Sequence, residues 1–401
     1  MKVLQLCHKI PNPPVDGGAQ VMHFTTKGLI ANGVHVKTVA INPTRQYVDE
    51  HTIPAEYKSA TAFEFVVVDT KIKLHRILAN VFSSDSYFMT RFVSDEFKER
   101  LITILKREVF DIIQIEHVYL CHYLNVLREH SNAKIVLRPQ NVEAVIWERY
   151  LAGVKNPFVK LWLRVATSRL RKFENKSVNL LDGILALTPE DAEIFRGSST
   201  DTPVVVIPMG YDYERIVGHD FNLQHNGAPL VYHIASMDWL PNVEAMDWFF
   251  EKVYPILQRS KCVVKISIAG RAMPERFFKY SSPSVEVTGL ITDPLKFQED
   301  KSVMIVPLWS GSGIRAKIIE GLALGKTIIS TSIGAQGINY ENGKNILIAD
   351  TPEAFAECII RCVSSPELIG AIGQEARELS LREYHFDAIA KRMIAFYEQI
   401  L

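Results

Sequence analysis

Cysteine is scarce in this chain: Cys7, Cys121, Cys262, Cys358 and Cys362 are scattered, odd in number and without C-x-x-C spacing. That argues against a disulfide framework and reads as a reduced, cytosolic protein. Cys358 and Cys362 would share a helix face, which suits packing rather than ligation. Net charge is missing too. Lys+Arg and Asp+Glu both number 45, so no global field points to nucleic acid. The first half is slightly basic and the second slightly acidic. No apolar run approaches the roughly 18–20 residues that a membrane span requires. The opening KVLQLC runs straight into a strand with no signal-peptide design, which leads us to expect a cytoplasmic location. Low-complexity tracts and solenoid repeats are absent from the sequence. So is a G-x-G-x-x-G turn followed by a ribose-binding acid, and a nicotinamide fingerprint is therefore unsupported.

What is present is alternation. At 401 residues the chain is too long for one core, and two domains of about 150–200 residues are expected. KVLQLCH, VHVKTVAI, FEFVVV, DIIQIEH, KIVLRP, DGILALT and PVVVIPM are strand candidates in the first half. LVYHIAS, VVKISIAG, VEVTGL, SVMIVPL, TIISTS and NILIAD are the candidates in the second. Such near-continuous apolar runs fit strands buried on both faces of a parallel sheet. Helix signals lie between them. Thr188-Pro189-Glu190-Asp191 and Thr351-Pro352-Glu353 each place a cap, then proline, then acid. Two α/β sets make two doubly wound domains with ligand sites at the carboxyl ends of the strands. The boundary is expected in the polar stretch VIPMGYDYERIVGHDFNLQHNGAP. From Phe386 onward the sequence reads as an amphipathic helix able to pack back on the first domain.

Several strand ends carry chemistry. Gly17-Gly18 opens a helix expected to run to about Ala31, and paired glycines let backbone amides approach an anion or sugar. A tight turn alone would use the same residues. His117 ends DIIQIEH, where its imidazole could bond a hydroxyl or stabilise charge, or serve as a buried structural histidine. Arg138, Asn141 and Glu143 follow the next strand with similar access, although Asn141 would equally suit a helix cap. In WSGSGIRAKIIEG, Gly311-Ser312-Gly313 turns off a buried strand into a helix expected to begin near Gly313, a favourable place for phosphate. Lys317 and Glu320, three apart, share a helix face, either as cation and ribose acceptor or as a surface ion pair. A basic stretch between Lys155 and Lys176, with Phe158 and Trp162 in it, suits an anionic membrane surface or an ordinary solvated helix face.

These stretches carry a resemblance. SMDWLPNVEAMDWFFEKVYPIL, SIAGRAMPERF, VEVTGLITD and above all VPLWSGSGIRAKIIEGLALGKTIISTSIGAQGI resemble the donor domain of the retaining glycosyltransferases of family 4, which have the GT-B fold. GGAQ, IIQIEH, ALTPED and VIPMGYD match more loosely. The resemblance implies two Rossmann-like doubly wound domains facing a cleft: an acceptor-side domain over residues 1–207, a nucleotide-sugar donor domain over 208–385, and a helix over 386–401 crossing back to the first. It implies that Glu320 binds the donor ribose and that Gly311, Ser312, Gly313 and Ile314 offer amides to diphosphate and sugar. Gly17 and Gly18 would face the donor phosphates, His117 the transferred sugar, and Gly270 with Arg271 the base. Arg138 and Asn141 are candidates for the acceptor side.

Two departures stand out. Many relatives carry glutamate where this chain has Ser312, and an arginine and a lysine where it has Ser236 and Asn242. Another phosphate clamp is then needed, and Lys317 with Arg315 is the local substitute, while Ser236 and Asn242 are expected to matter little. The expected activity is retaining transfer of a sugar from a nucleotide diphosphate sugar to a glycan, lipid-linked or other hydroxyl acceptor, in bacterial surface polysaccharide or glycoconjugate synthesis. No metal and no resident cofactor are expected, since the donor half shows no Asp-x-Asp-type pair at a strand end. Peripheral association with an anionic membrane at its inner face is among the expected partners. The alternatives are a sugar-nucleotide epimerase on the same fold and a donor-binding subunit without turnover.

Overall fold

Apolar and β-branched runs become strands thirteen times among the described residues, most of them covered on both faces. The computed structural model describes residues 1–71, 80, 86–221, 229–260, 262–311 and 313–401. Its strands are β1 (Lys2–Cys7), β2 (His35–Pro43), β3 (Glu64–Val68), β4 (Ile112–Glu116), β5 (Lys134–Leu137), β6 (Gly183–Ala186) and β7 (Val204–Val206), then β8 (Leu230–Ile234), β9 (Lys265–Ala269), β10 (Val285–Thr288), β11 (Val303–Val306), β12 (Thr327–Ser330) and β13 (Leu347–Ile348). Each falls inside one of the expected runs except β2, which continues past VHVKTVAI through Asn42 and Pro43. Six helices bear on the site: α1 (Gly17–Ala31), α2 (Glu143–Gly153), α3 (Pro157–Val178), α4 (Leu240–Trp248), α5 (Ala316–Ala323) and α6 (Phe386–Ile400).

The chain forms two compact units. The first holds Met1–Gly210, Ser312–Ile314 and Phe386–Leu401; the second holds Tyr211–Gly311 and Arg315–His385. Of the expected boundary stretch, residues 222–228 lie outside the described residues, as does Ser312.

The first unit is built on a seven-stranded sheet in the order β3-β2-β1-β4-β5-β6-β7, and the second on six strands in the order β10-β9-β8-β11-β12-β13. Every pairing in both is parallel. The order reverses between β1 and β4 in one sheet and between β8 and β11 in the other. Those reversals are where open α/β sheets leave a crevice beyond the strand ends.

Period-two alternation divides the first unit's core. Leu4, Leu6, Ile113, Ile115, Ile135 and Leu137 pack on one face. Val3, Ile112, Val136 and Leu185 pack on the other with Leu29 of α1 and Ile389, Met393 and Phe396 of α6. Glycine 28 permits that helix pair: a Cβ there would lie 2.8 Å from the Ala390 Cβ and from the Phe386 carbonyl oxygen. A buried polar chain also ties α6 to the sheet. Tyr397 donates its hydroxyl to Gln114, and Gln114 and Gln5 donate to the Glu116 carboxylate. The helix caps follow the sequence. Thr188 Oγ1 accepts from the Asp191 amide at 3.1 Å and Thr351 Oγ1 from Ala354 at 3.2 Å.

Candidate functional site

In the first unit, β1 and β4 deliver His8 and His117 side by side, with ring centroids 4.4 Å apart. The His8 ring is bonded to the Glu116 carbonyl at 2.9 Å. Burial, then the charges of His117 and Lys9, push its pKa well below the usual imidazole range. Helix α1 begins at Gly17, capped by Asp16, whose carboxylate accepts from the Ala19 amide at 2.9 Å and from Lys9 Nζ at 2.6 Å. Gly18 packs against the Gln140 amide, which donates to its carbonyl at 3.2 Å. Lys9 is thus a cation at this turn that no spacing in the sequence marked.

His117 is 6% exposed and held in a left-handed backbone conformation with φ 111°, a strained geometry that persists only where the surroundings hold it. Its Nδ1 accepts from the Tyr119 amide at 3.3 Å and its Nε2 lies 3.2 Å from the Glu143 carboxylate. Tyr119 donates its hydroxyl to the same carboxylate at 2.6 Å. Burial alone would raise the Glu143 pKa, but His117 and Tyr119 hold it below the ordinary value. The unit therefore presents an imidazole backed by a buried carboxylate, rather than an imidazole open on both nitrogens.

One acceptor-side expectation, Arg138, and one capping alternative, Asn141, need correction. Arg138 has no exposed surface, and it donates to the carbonyls of Ile207 at 3.2 Å and Pro208 at 3.0 Å. A guanidinium so placed fastens the core and offers nothing to an acceptor. Asn141 is not the cap of α2; Val142 holds that position without a side-chain bond. The amides of Glu143 and Ala144 are met instead by the Glu174 carboxylate of α3, at 2.9 and 3.0 Å.

In the second unit, the loop after β8 and the turn after β11 meet through side chains. Helix α5 starts at Ala316, with Arg315 as its backbone cap, three residues later than the sequence suggested. Gly311 and Gly313 have φ of 102° and 77°, conformations that glycine adopts readily and that are incompatible with a helix start there. Arg315 is buried with its guanidinium 5.5 Å from the Trp239 ring. Ile314, which is grouped with the first unit, precedes it and is partly buried.

Lys317 and Glu320 go to different partners and do not form the surface ion pair. Lys317 Nζ donates to Asn242 Oδ1 at 2.8 Å. Burial, then the nearby Arg315 charge, pushes its pKa down to about 7. Glu320 accepts from Gln298 Nε2 at 3.0 Å and lies 3.5 Å from Arg215. Gly270 and Arg271 follow β9. A Cβ on Gly270 would collide with the Ala235 carbonyl, and Arg271 pairs with Asp238 at 3.0 Å, both partly exposed. Arg215, Gln298 and Asp238 are distant in sequence from the residues they hold, and no motif announced them.

Part of the sequence and the whole of the fold are similar to known proteins. Residues 228–365 match the family described as Glycosyl transferases group 1. A Klebsiella pneumoniae protein described as an uncharacterized 44.6 kDa protein in a cps region is 22% identical over 311 residues, covering 73% of this chain and 78% of its own. Among solved structures, sucrose-phosphate synthase from Thermosynechococcus elongatus superposes with a TM-score of 0.70 at 15% identity, over 100% of this chain and 99% of its own. TarM from S. aureus, solved with fondaparinux, α-GlcNAc-glycerol and UDP, has a TM-score of 0.69 at 13% identity, over 99% of each chain. The fold is that of the GT-B glycosyltransferases, and within it residues 228–365 match the family of group 1 glycosyl transferases.

Proposed function

We propose that the chain transfers a sugar, with retention of configuration, from a nucleotide diphosphate sugar to a glycan or lipid-linked hydroxyl acceptor. The observation that carries this reading is the divergence of Lys317 and Glu320. Successive turns of α5 present an ammonium toward the β8 loop and a carboxylate toward Arg215, at the place where the second sheet reverses its strand order. A diphosphate suits the first and ribose hydroxyls suit the second. Backbone amides of Gly311, Gly313 and Ile314 and the guanidinium of Arg315 add to the positive field. Catalysis on such a site is positioning and charge stabilisation as the diphosphate leaves. His117, backed by Glu143, is the group we assign to the sugar side, with Gly17 and Gly18 on the donor phosphates and Gly270 with Arg271 beside the base.

Surface-polysaccharide assembly is the setting we propose, and the relative from a cps region supports it. Contact with an anionic membrane is assigned to α3. Phe158, Leu161 and Val165 are exposed on its outer face, and Arg169, Lys172 and Lys176 continue that face into a groove shared with His122 and Phe173. Among the described residues no helix is long and apolar enough to cross a membrane.

The reading is tested by thermal shift against UDP, GDP, dTDP and their sugars, since a ligand of the native state raises its stability by mass action. One nucleotide series is expected to raise Tm, UDP being the first choice because TarM was solved with it. We further propose that transfer runs without a divalent metal, because cations of the protein face the leaving group. Activity is expected to survive EDTA. Loss with chelator and recovery with manganese would refute that part.

A further inference from the structure

We propose that Asn242 is the positioning residue for Lys317, and that the pair makes binding of a nucleotide diphosphate draw a proton from solvent. The inference rests on the donor reading above and goes beyond it to the protonation chemistry of the clamp. Asn242 is 3% exposed and uses both ends of its amide. Nδ2 donates to the Ser236 carbonyl at 2.8 Å, which turns Oδ1 toward Lys317 Nζ, also at 2.8 Å. The loop after β8 and the helix after β11 are thereby joined through one side chain. A neutral carbonyl oxygen holds the lysine in place without cancelling its charge.

The surroundings leave that charge uncompensated. Arg315 is a second cation, one residue outside α5. Below, His233 of β8 is wholly buried, with its ring Nδ1 bonded to the Ile305 carbonyl of β11 at 2.8 Å. Burial, then the Lys317 charge, pushes the His233 pKa down to about 3, so this ring is neutral. Glu320, one turn along α5, is held by Gln298 and Arg215. No carboxylate pairs with Lys317 among the described ion pairs.

Burial and Arg315 thus oppose its protonation, consistent with the lowered pKa given above. A bound diphosphate supplies the missing negative charge and favours the ammonium, so the lysine pKa rises on binding. By linkage, protons are then taken up above about pH 7 and affinity falls as pH rises. One such proton makes binding about fivefold weaker at pH 8 than at pH 7.

The test is calorimetric titration of the full chain with UDP at pH 8, in Hepes and in Tris, whose different ionisation heats report the protons exchanged. Wild type is expected to take up more than half a proton, and Lys317→Met none, with UDP bound about 10–100-fold more weakly at pH 7. Asn242→Asp is expected to pair with Lys317, keep it charged, and abolish proton uptake while weakening UDP. Uptake unchanged in Lys317→Met or in Asn242→Asp overturns the proposal and leaves the donor reading standing. Uptake absent in a wild type that binds UDP does the same. If UDP, GDP and dTDP all fail to bind wild type, the donor reading falls and this inference falls with it.

Discussion

Glu320 shows how one side chain can serve structure and ligand in turn. Its carboxylate is held by Gln298 and, more loosely, by Arg215 at 3.5 Å. A contact that long leaves room for exchange against ribose hydroxyls. Glu320→Ala is expected to weaken nucleotide binding by about 1.5–3 kcal/mol, the range for hydrogen bonds to a charged group. Calorimetry on the folded variant checks it, and unchanged affinity would make Glu320 a partner of Arg215 only. At this scale the sequence was partly legible. Lys317 and Glu320 stood out because spacing on one helix is a local property. Their partners Asn242, Arg215 and Gln298 did not, because long-range hydrogen bonds leave no periodic trace. Asn242 was expected to be of little consequence because it carries no charge, and its bonds to Lys317 and to the Ser236 carbonyl are visible only in the fold. Arg138 misled for a related reason: a strand end gave no sign that the Ile207 and Pro208 carbonyls would enclose it.

At the scale of elements the strands were legible throughout, because parallel strands buried on both faces must be apolar along their whole length. The start of α5 was not. Glycines at φ 102° and 77° extend the turn, and only the backbone reveals how far. The join of α2 and α3 was equally hidden. Within the basic stretch the one acid, Glu174, caps α2 from a neighbouring helix. Burial, then the Glu143 charge, pushes its pKa up to about 8 in spite of the two amides. A raised carboxyl pKa contributes stability that is full below the unfolded value near 4.5 and is lost as pH rises through about 8. Glu174→Gln, which cannot ionise, is therefore expected to be less stable than wild type at pH 5, with the gap narrowing by pH 8. Urea unfolding at the two pH values measures this, and a constant gap would show that the proton on Glu174 has no part in it. The outer face of α3 carries a second expectation. Phe158 is 83% and Leu161 61% exposed, so Phe158→Glu with Leu161→Glu should reduce cosedimentation with phosphatidylglycerol vesicles several-fold. Equal binding by the double variant would remove α3 as the membrane face.

On the scale of the whole molecule, each unit repeats one device: a parallel sheet whose strand order reverses, with the candidate residues at the reversal. His8, His117 and the Gly17–Gly18 turn gather at one reversal, and Asn242, Lys317 and Glu320 at the other. Two α/β sets could be read from the alternation of strands and helices. The return of α6 to the first unit could be anticipated as an amphipathic helix, but its seat on Gly28 and its tie through Tyr397 to Gln114 are tertiary facts. Transfer from a nucleotide diphosphate sugar is the activity proposed for this chain. Its most direct test is time-resolved proton NMR of the enzyme with the nucleotide sugar selected by thermal shift and a simple glycoside acceptor. Release of the nucleoside diphosphate is expected, with a first-formed product of the donor's anomeric configuration, both formed more slowly by Glu320→Ala at subsaturating donor. Accumulation of an epimerised sugar without transfer, or no turnover of any nucleotide sugar by wild type, would contradict it.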